Sequence, residues 1–262
     1  MISDRRSSDL TEVYSQKRED ETLDVLFDGK LKLFQSRRGY RFSLDALLLA
    51  HFVTCRQGEK IIDLGTGNGV IALILAYLHS PLAITGVEIQ PGMVDRAGRN
   101  VQLNGVEERV KIREADVRNI HENFSPESFS AVVCNPPYRR ATSGRLSPNA
   151  EKKIARHEIV AGLADFLQAG AYLLPTKGRI ALIYPALRIV DLLEAMLNAK
   201  FEPKRLRMIH SFAHANASLV LVEGVKGGKN GMEVLLPLSV YTKPKQYTTE
   251  VQEMLAGEGS LP

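Results

Sequence analysis

The residues with the clearest chemical potential form the stretch Asn135-Pro136-Pro137-Tyr138, which directly follows the apolar run 129–134. Two consecutive prolines fix two φ angles, remove two N–H donors and push the preceding asparagine toward an extended conformation. The resulting stiff turn presents an amide side chain, the free carbonyl of Pro136 and an aromatic face. These groups suit a planar ligand whose –NH2 group must be held, although a proline turn that only ends a strand would contain the same residues.

A second candidate site is the glycine-rich run Asp63-Leu64-Gly65-Thr66-Gly67-Asn68-Gly69, between a predicted strand at 60–64 and a predicted helix at 70–78. Glycines allow the backbone to approach a nucleotide-like ligand closely at a helix N-terminus. Their spacing differs from the G-x-G-x-x-G of dinucleotide sites and from a phosphate-binding P-loop, which weakens both alternatives. The run predicts a cofactor loop, with a purely structural glycine turn as the alternative.

Polar residues also end the next three predicted strands. The strands at 83–87, 110–114 and 129–134 lead to Glu88, Asp116 and Asn135. Ligands bind at the carboxyl ends of strands in a parallel doubly wound sheet, so these residues and the glycine loop are expected to share one crevice. An acid about 20 residues past the glycine turn is placed to bind ribose hydroxyls. Each acid alone would more often be a turn or capping residue, so the series supports the prediction.

The surrounding elements predict an α/β fold: a Rossmann-like, doubly wound sheet of seven mostly parallel strands with an antiparallel last strand. Two short apolar runs around Asp28-Gly29 predict a small hairpin before it, and residues 44–53 predict an apolar helix capped by Ser43. We divide the chain into a mobile leader at 1–22, a hairpin and helix packed on the main domain at 23–57, the main domain at 58–241 and a C-terminal tail at 242–262.

A basic segment follows the proline turn. Residues 139–157 show little apolar periodicity and predict a long loop over the crevice. The segment has one acid, Glu151, and six cations: Arg139, Arg140, Arg145, Lys152, Lys153 and Arg156. Such a run can be a solvated face, and it can also clamp a phosphate backbone. His157 is a candidate base, with a surface or capping histidine as the alternative.

Composition limits the class of protein. A chain of 262 residues that is 44% hydrophobic can bury the core of one domain with a small appendage. The formal charge of +4 and a pI near 9.0 permit a polyanionic partner without requiring one. Cys55 and Cys134 lie in apolar surroundings without metal-ligand spacing, which predicts buried thiols in the cytoplasm and no metal site. No apolar run reaches the ~18 residues of a membrane span, so we expect no membrane insertion.

With these motifs, the chain resembles class I S-adenosylmethionine-dependent methyltransferases that methylate an exocyclic or amide nitrogen. The similarity runs over residues 40–225. Two further stretches, residues 40–49 and Ala155-Arg156-His157-Glu158, resemble the tRNA adenine-N6 methyltransferase family, whose known member modifies the adenine next to the anticodon, at position 37, of a valine tRNA. Residues 58–241 would then be the methyltransferase domain.

The resemblance implies a role for each motif. S-adenosylmethionine would be the methyl donor and S-adenosylhomocysteine the product. Glu88 would bind the ribose hydroxyls and Asp116 the adenine amino group of the cofactor. Asn135-Pro136-Pro137-Tyr138 would be the catalytic turn, in which Asn135 and the Pro136 carbonyl hold the target amino group and Tyr138 stacks on the target ring. The full set implied to bind the cofactor is Tyr40, Phe42, Asp45, Asp63, Gly65, Thr66, Gly67, Asn68, Glu88, Ile89, Asp116, Val117 and Asn135.

The expected partner is RNA, a tRNA by the resemblance, and the sequence leaves the oligomeric state open. A glutamine amide would fit the same acceptors, so a protein-glutamine methyltransferase acting on release factors is an alternative; its usual helical N-terminal substrate domain is not apparent here. A non-catalytic RNA-binding module predicts damage to the acceptor turn or the glycine loop, and neither is visible. A nicotinamide-dependent oxidoreductase is disfavoured by the glycine spacing.

Overall fold

The structure, a computed structural model, describes residues 17–37, 44–79, 81–138 and 161–258. Most of the predicted leader and the whole of the predicted basic loop therefore lie outside the described residues. The same holds for several single residues for which the sequence predicts a role: Tyr40, Phe42, Arg139, Arg140, Arg145, Lys152, Lys153, Arg156 and His157.

The described strands form two sheets. β1 (Glu21–Leu26) and β2 (Leu31–Ser36) pair antiparallel, which confirms the predicted hairpin. The turn between them needs the left-handed backbone, with φ 54° at Asp28 and 84° at Gly29. The other ten strands form one sheet, and in chain order they are β3 (Lys60–Leu64), β4 (Ala83–Glu88), β5 (Val110–Glu114), β6 (Ala131–Cys134), β7 (Arg179–Pro185), β8 (Phe201–Phe212), β9 (Ala217–Lys226), β10 (Glu233–Val234), β11 (Leu238–Lys243) and β12 (Gln246–Tyr247).

The order across the large sheet is β12-β11-β8-β9-β7-β6-β3-β4-β5, with β10 also paired to β8. Neighbours from β7 to β5 are parallel, whereas β9 runs antiparallel to both β7 and β8. Strands β3 to β9 thus confirm the predicted doubly wound, mostly parallel sheet with an antiparallel last strand. The sheet is wider than the seven strands predicted, because β10 and β11 pair with the edge of β8 that seven strands would leave open. β11 crosses residue 241, where the sequence predicts the end of the main domain.

Helices cover both faces of the sheet: α1 (Leu44–Phe52), α2 (Val70–Leu78), α3 (Pro91–Leu103), α4 (Leu163–Leu173), α5 (Ile189–Asn198) and α6 (Thr249–Ala256). Successive residues of β3 alternate between the two resulting cores. Ile61 belongs to the core that includes α1, α2 and α6, and Ile62 to the one that includes α4 and α5. None of the helices in the described ranges is long and apolar enough to cross a membrane.

Buried ion pairs hold the β1–β2 hairpin against α3. The Glu21 carboxylate, fully buried in β1, accepts from Arg96 at 2.8 Å and from Arg99 at 2.6 Å. Burial alone would raise the pKa of Glu21, but hydrogen bonds from Arg99, the Arg18 backbone and Arg96 outweigh it and lower the pKa to about 2. The cluster fixes β1 against the helix that follows β4.

Two amides, Asn100 in α3 and Asn104 directly after it, bind the backbone of β2 as a strand would. Asn104 accepts from the Lys32 N–H at 2.9 Å and donates to the Lys32 carbonyl at 2.7 Å. Asn100 makes the same pair of bonds with Phe34, at 2.7 Å and 3.2 Å, and its Nδ2 also donates to the Asn68 carbonyl at 2.9 Å. Asn100 therefore joins the hairpin to the glycine loop, and a buried amide with all of these bonds satisfied holds that loop in place.

Candidate active site

The glycine loop folds over the end of β4. Gly65, Gly67 and Gly69 all have positive φ, 72°, 59° and 85°, a conformation that side chains disfavour. The N–H groups of Gly65 and Thr66 both donate to the Val87 carbonyl, at 2.8 Å and 2.9 Å. α2 begins directly after Gly69. The loop is thus a fixed backbone cradle that ends at a helix N-terminus, as the sequence predicted.

Glu88 lies beside this cradle and is held by backbone donors. Its Oε2 accepts from the Gly67 N–H at 3.1 Å, and its Oε1 accepts from the Ile89 and Gln90 N–H groups, both at 3.0 Å. The side chain is 7% exposed, so its orientation is set by these three bonds. Carboxylate oxygens have about four acceptor sites in all, which leaves about one for a ligand hydroxyl.

The floor of the loop contains buried polar atoms without partners. Asp63 Oδ2 accepts from the Thr66 hydroxyl at 2.6 Å, but Asp63 Oδ1 and Asn68 Nδ2 are buried with no hydrogen bond. Burial, reinforced by the Glu88 charge and partly offset by the Thr66 hydroxyl and by the backbone N–H of Ala72, raises the pKa of Asp63 to about 7. Unsatisfied buried groups are costly. An acceptor and a donor left open in one glycine loop fit the ammonium and carboxylate of an amino acid, which S-adenosylmethionine carries in its methionine part.

Asp116 follows β5 and caps the 3-10 turn Val117–Glu122. Its carboxylate accepts from the Arg118 N–H at 2.9 Å and from the Arg118 guanidinium at 2.5 Å. The Arg118 hydrogen bonds, partly opposed by burial, hold the pKa of Asp116 below its usual value. The expected contact to a cofactor adenine must therefore share this carboxylate with Arg118. Two apolar residues of the predicted cofactor site follow strand ends in the same way. Val117, which is buried, comes directly after Asp116, and Ile89, which is half-buried, comes directly after β4.

The acceptor turn starts at Asn135, immediately after β6. The Tyr138 hydroxyl donates to Asn135 Oδ1 at 2.7 Å and lies 3.3 Å from Asp45 Oδ2 in α1. The Tyr138 ring meets the Tyr184 ring edge-on, with centroids 5.8 Å apart. The hydroxyl thus occupies one of the two acceptor sites of the amide oxygen that a target amino group is expected to use, and it competes with that group for the oxygen.

Two side chains near the turn were not recognised in the sequence. Tyr184, in β7, packs against Tyr138, and the Arg188 guanidinium lies 5.0 Å from the Tyr184 ring and donates to the Tyr138 carbonyl at 3.2 Å. Tyr184 lies near the carboxyl end of the strand beside β6, so the strand-end rule could have identified it. Nothing in the local sequence marks Arg188 or the loop-holding Asn100.

The parallel pairing brings these groups to one edge of the sheet. β3 lies between β4 and β6, and β5 lies beyond β4. The glycine loop after β3 is therefore flanked by Glu88 on one side and by Asn135 on the other, with Asp116 on the next strand. The convergence of four strand ends, predicted from the sequence, is present. Among the residues that the structure describes, no cluster of His, Cys, Asp and Glu could hold a metal ion.

Residues 43–190 match the family model of the methyltransferase small domain, a span that contains both the glycine loop and the acceptor turn. The chain is also similar to proteins named tRNA1(Val) (adenine(37)-N6)-methyltransferase. It is 33% identical to the one from Trichodesmium erythraeum over 153 residues, 58% of this chain and 63% of that protein. It is 29% identical to one from Porphyromonas gingivalis over 206 residues, 76% and 80% of the two chains. With the Tolumonas auensis protein, at 29% identity, the match spans 58% of this chain and 62% of the relative, so two of these matches cover less than two thirds of the relative.

Solved structures show the same fold. A predicted O-methyltransferase from Agrobacterium tumefaciens superposes with a TM-score of 0.68 at 22% identity, over 83% of this chain and 98% of that one. TrmN from Thermus thermophilus superposes with a TM-score of 0.51, also at 22% identity, over 69% and 48%. At these identities the likeness concerns the fold alone.

Proposed function

We propose, since this chain belongs to the methyltransferase small domain family, that it transfers a methyl group from S-adenosylmethionine to the exocyclic N6 of an adenine in RNA. The family implies S-adenosylmethionine as the methyl donor. One observation carries the proposal: the acceptor turn at Asn135 follows the strand next to the glycine loop, whose buried Asp63 Oδ1 and Asn68 Nδ2 have no partner. The names of the similar proteins support the finer proposal, adenine 37 of tRNA(Val).

The residues present fit the cofactor. Asp63 and Asn68 would satisfy the ammonium and carboxylate of its methionine part, and Glu88 would accept from the ribose hydroxyls. Asp116 would accept from the adenine amino group. Gly65 lets the loop lie close to α4, since an added Cβ would be 3.1 Å from the Phe166 ring. When bound, S-adenosylmethionine supplies a methyl group on a positively charged sulfur.

The acceptor turn has a demanding task, because the adenine amino nitrogen is a poor nucleophile. Its lone pair is delocalised into the ring. Two acceptors on its two N–H bonds, Asn135 Oδ1 and the Pro136 carbonyl, would favour the tetrahedral nitrogen of the transition state, in which those protons are more acidic. No strong base is required beforehand. Holding the nitrogen in line with the methyl group supplies the remaining advantage through orientation.

Tyr138 and Asp45 would prepare the turn for this exchange. In the structure the Tyr138 hydroxyl donates to Asn135 Oδ1, and the Asp45 carboxylate lies 3.3 Å from the same hydroxyl. Asp45 therefore offers the hydroxyl another acceptor when a target amino group takes over the Asn135 oxygen. The ring of Tyr138 would then stack on the target base, as aromatic side chains do with unpaired bases in RNA.

We propose further that the cations of the basic segment contact RNA phosphates and that the protein works in the cytoplasm. The charge of +4 is compatible with a polyanionic substrate. Both cysteines, Cys55 and Cys134, are free thiols, which suits a reducing compartment.

The test is to incubate total RNA from a strain that lacks the gene with the protein and labelled S-adenosylmethionine, and then to map the modified nucleotide. The proposal predicts label on the N6 of an adenine, at position 37 of tRNA(Val). Label found only in protein would refute the RNA substrate and favour a glutamine amide, which fits the same two acceptors. A protein that binds the cofactor and labels neither would refute methyl transfer itself.

A further inference from the structure

Four aromatic rings form a row on the sheet, away from the acceptor turn. Phe212 ends β8, His214 lies in the turn that follows it, and Tyr241 and Tyr247 belong to β11 and β12. Ring centroids are 5.7 Å apart for Phe212 and His214, 5.8 Å for Phe212 and Tyr241, and 5.0 Å for Tyr241 and Tyr247. The first and last pairs are stacked, with interplanar angles of 18° and 20°. We refer to these four residues as the aromatic row.

The row lies at the same edge of the sheet as the proposed active site. β9 runs antiparallel to β7 and β8, so β8 ends at the edge where β6 and β7 end, and β11 is parallel to β8 with Tyr241 opposite Phe212. Four strand steps separate β6 from β11. At about 4.8 Å per step, the row begins about 14 Å from the acceptor turn at Phe212 in β8, three steps away, and reaches about 19 Å at Tyr241. These distances correspond to about four to six stacked nucleotides at ~3.4 Å each.

Tyr241 and Tyr247 pack with one side against the hydrophobic core, while exposure and charge around the row indicate a ligand surface on its outer side. His214 is exposed, and the other three rings are half-buried. Lys243 at the end of β11 and Lys245 in the turn before β12 are both exposed. Aromatic faces beside cations are the arrangement that binds single-stranded nucleic acid, because every base has a face to stack and every nucleotide a phosphate to neutralise.

We propose that the aromatic row, with Lys243 and Lys245, binds unpaired nucleotides of the RNA substrate. The inference rests on the proposed function, since it extends the contact with the same RNA beyond the target adenine. The row lies outside residues 43–190, the span that matches the family model. It would therefore add substrate affinity to the shared catalytic domain without taking part in methyl transfer.

Fluorescence anisotropy with a labelled 12-nucleotide oligo(A) tests this proposal, with an abasic 12-mer as the second probe. Changing His214→Ala together with Phe212→Leu should weaken oligo(A) binding at least about fivefold and leave binding of the abasic probe unchanged, since only stacking is removed. His214→Ala alone is the second variant, because its ring is exposed and its removal leaves the core intact.

A charge variant separates the two contributions. Lys243→Gln with Lys245→Asn should lower the slope of log affinity against log salt by about 1.4 for both probes, at about 0.7 per neutralised phosphate. Asparagine is chosen at Lys245 because φ there is 64°, a value that it tolerates. Lys60→Gln with Lys111→Gln is the matched control, since it removes the same charge from exposed residues of β3 and β5.

All variants should keep the wild-type melting temperature and S-adenosylmethionine affinity. Equal oligo(A) affinity in the wild type and the row variants, including no binding by any of them, would overturn the inference. An equal weakening for the abasic probe in the His214 and Phe212 variant would also overturn it. Failure of the proposed function is distinguishable, because it would appear as label in protein or in neither protein nor RNA, whatever the oligonucleotide binding.

Discussion

The raised pKa of the buried Asp63 carboxylate leads to a prediction that can be tested without any ligand. It lies under the glycine loop with one oxygen unpartnered, and burial is the main reason why its pKa is raised from 3.8 to about 7. A raised pKa in the folded state means that the contribution to stability is fully present below pH 3.8 and is lost as the pH rises through about 7. Asp63→Asn removes this titration and keeps the shape of the side chain.

The expected magnitude follows from the linkage between pKa and stability. In the window between the two pKa values, the wild type should lose about 1.36 kcal/mol of unfolding free energy per pH unit relative to Asp63→Asn. Between pH 5 and pH 7 the difference in unfolding free energy between the wild type and Asp63→Asn should therefore change by at most about 2.7 kcal/mol. This difference, the stability gap, should level off above pH 7.

Urea unfolding of both proteins at each pH unit from 5 to 8 measures this gap. Glu21→Gln is the control, because Arg99 and its neighbours lower the pKa of Glu21 to about 2, so its contribution is lost only as the pH falls below 4.5. The Glu21→Gln profile should run parallel to the wild type from pH 5 to pH 8. If the Asp63→Asn profile also ran parallel, Asp63 would have an ordinary pKa and the explanation based on burial would be wrong.

The remaining predictions concern the acceptor turn and the basic segment. Tyr138→Phe keeps the ring but removes the hydroxyl that occupies Asn135 Oδ1, so it should retain turnover and bind RNA at least as tightly, whereas Tyr138→Ala should lose most activity in the same assay. A lower RNA affinity for Tyr138→Phe would show that the hydroxyl contributes to binding. Replacing Arg139, Arg140 and Arg145 by Gln should weaken RNA binding and flatten its salt dependence by about 0.7 for each phosphate that is no longer neutralised. An unchanged slope would identify these arginines as a solvated surface.

Much of the fold could be predicted because its signals are local. Strands β3, β4, β6, β7 and β9 are largely apolar runs, and Gly69, Pro91 and Gly162 mark the starts of α2, α3 and α4. The three extra strands were missed for the opposite reason. Glu233–Val234 and Gln246–Tyr247 have two residues each, and β11 forms by pairing with β8, a partner far away in the sequence.

The residues of the candidate site also divide into those that the sequence could place and those that it could not. Asp63, Glu88, Asp116 and Asn135 could be placed together because the ends of parallel strands share an edge. Asp45 was predicted among the cofactor-binding residues, and its contact with Tyr138 could not be predicted from the sequence. The cause is tertiary packing, since α1 rests against α2, α6 and β7, and β7 is the neighbour of the strand that leads to Asn135.

The central claim is that Asn135 holds the target amino group, and Asn135→Ala tests it most directly. Removing one preorganised partner of a transition state typically costs about 10²- to 10³-fold in rate. Methyl transfer to RNA and the affinity for S-adenosylmethionine should be measured on the same preparation. We expect Asn135→Ala to lose at least about a hundredfold in turnover while its affinity for the cofactor stays at the wild-type value. Near-normal turnover by Asn135→Ala would contradict the claim.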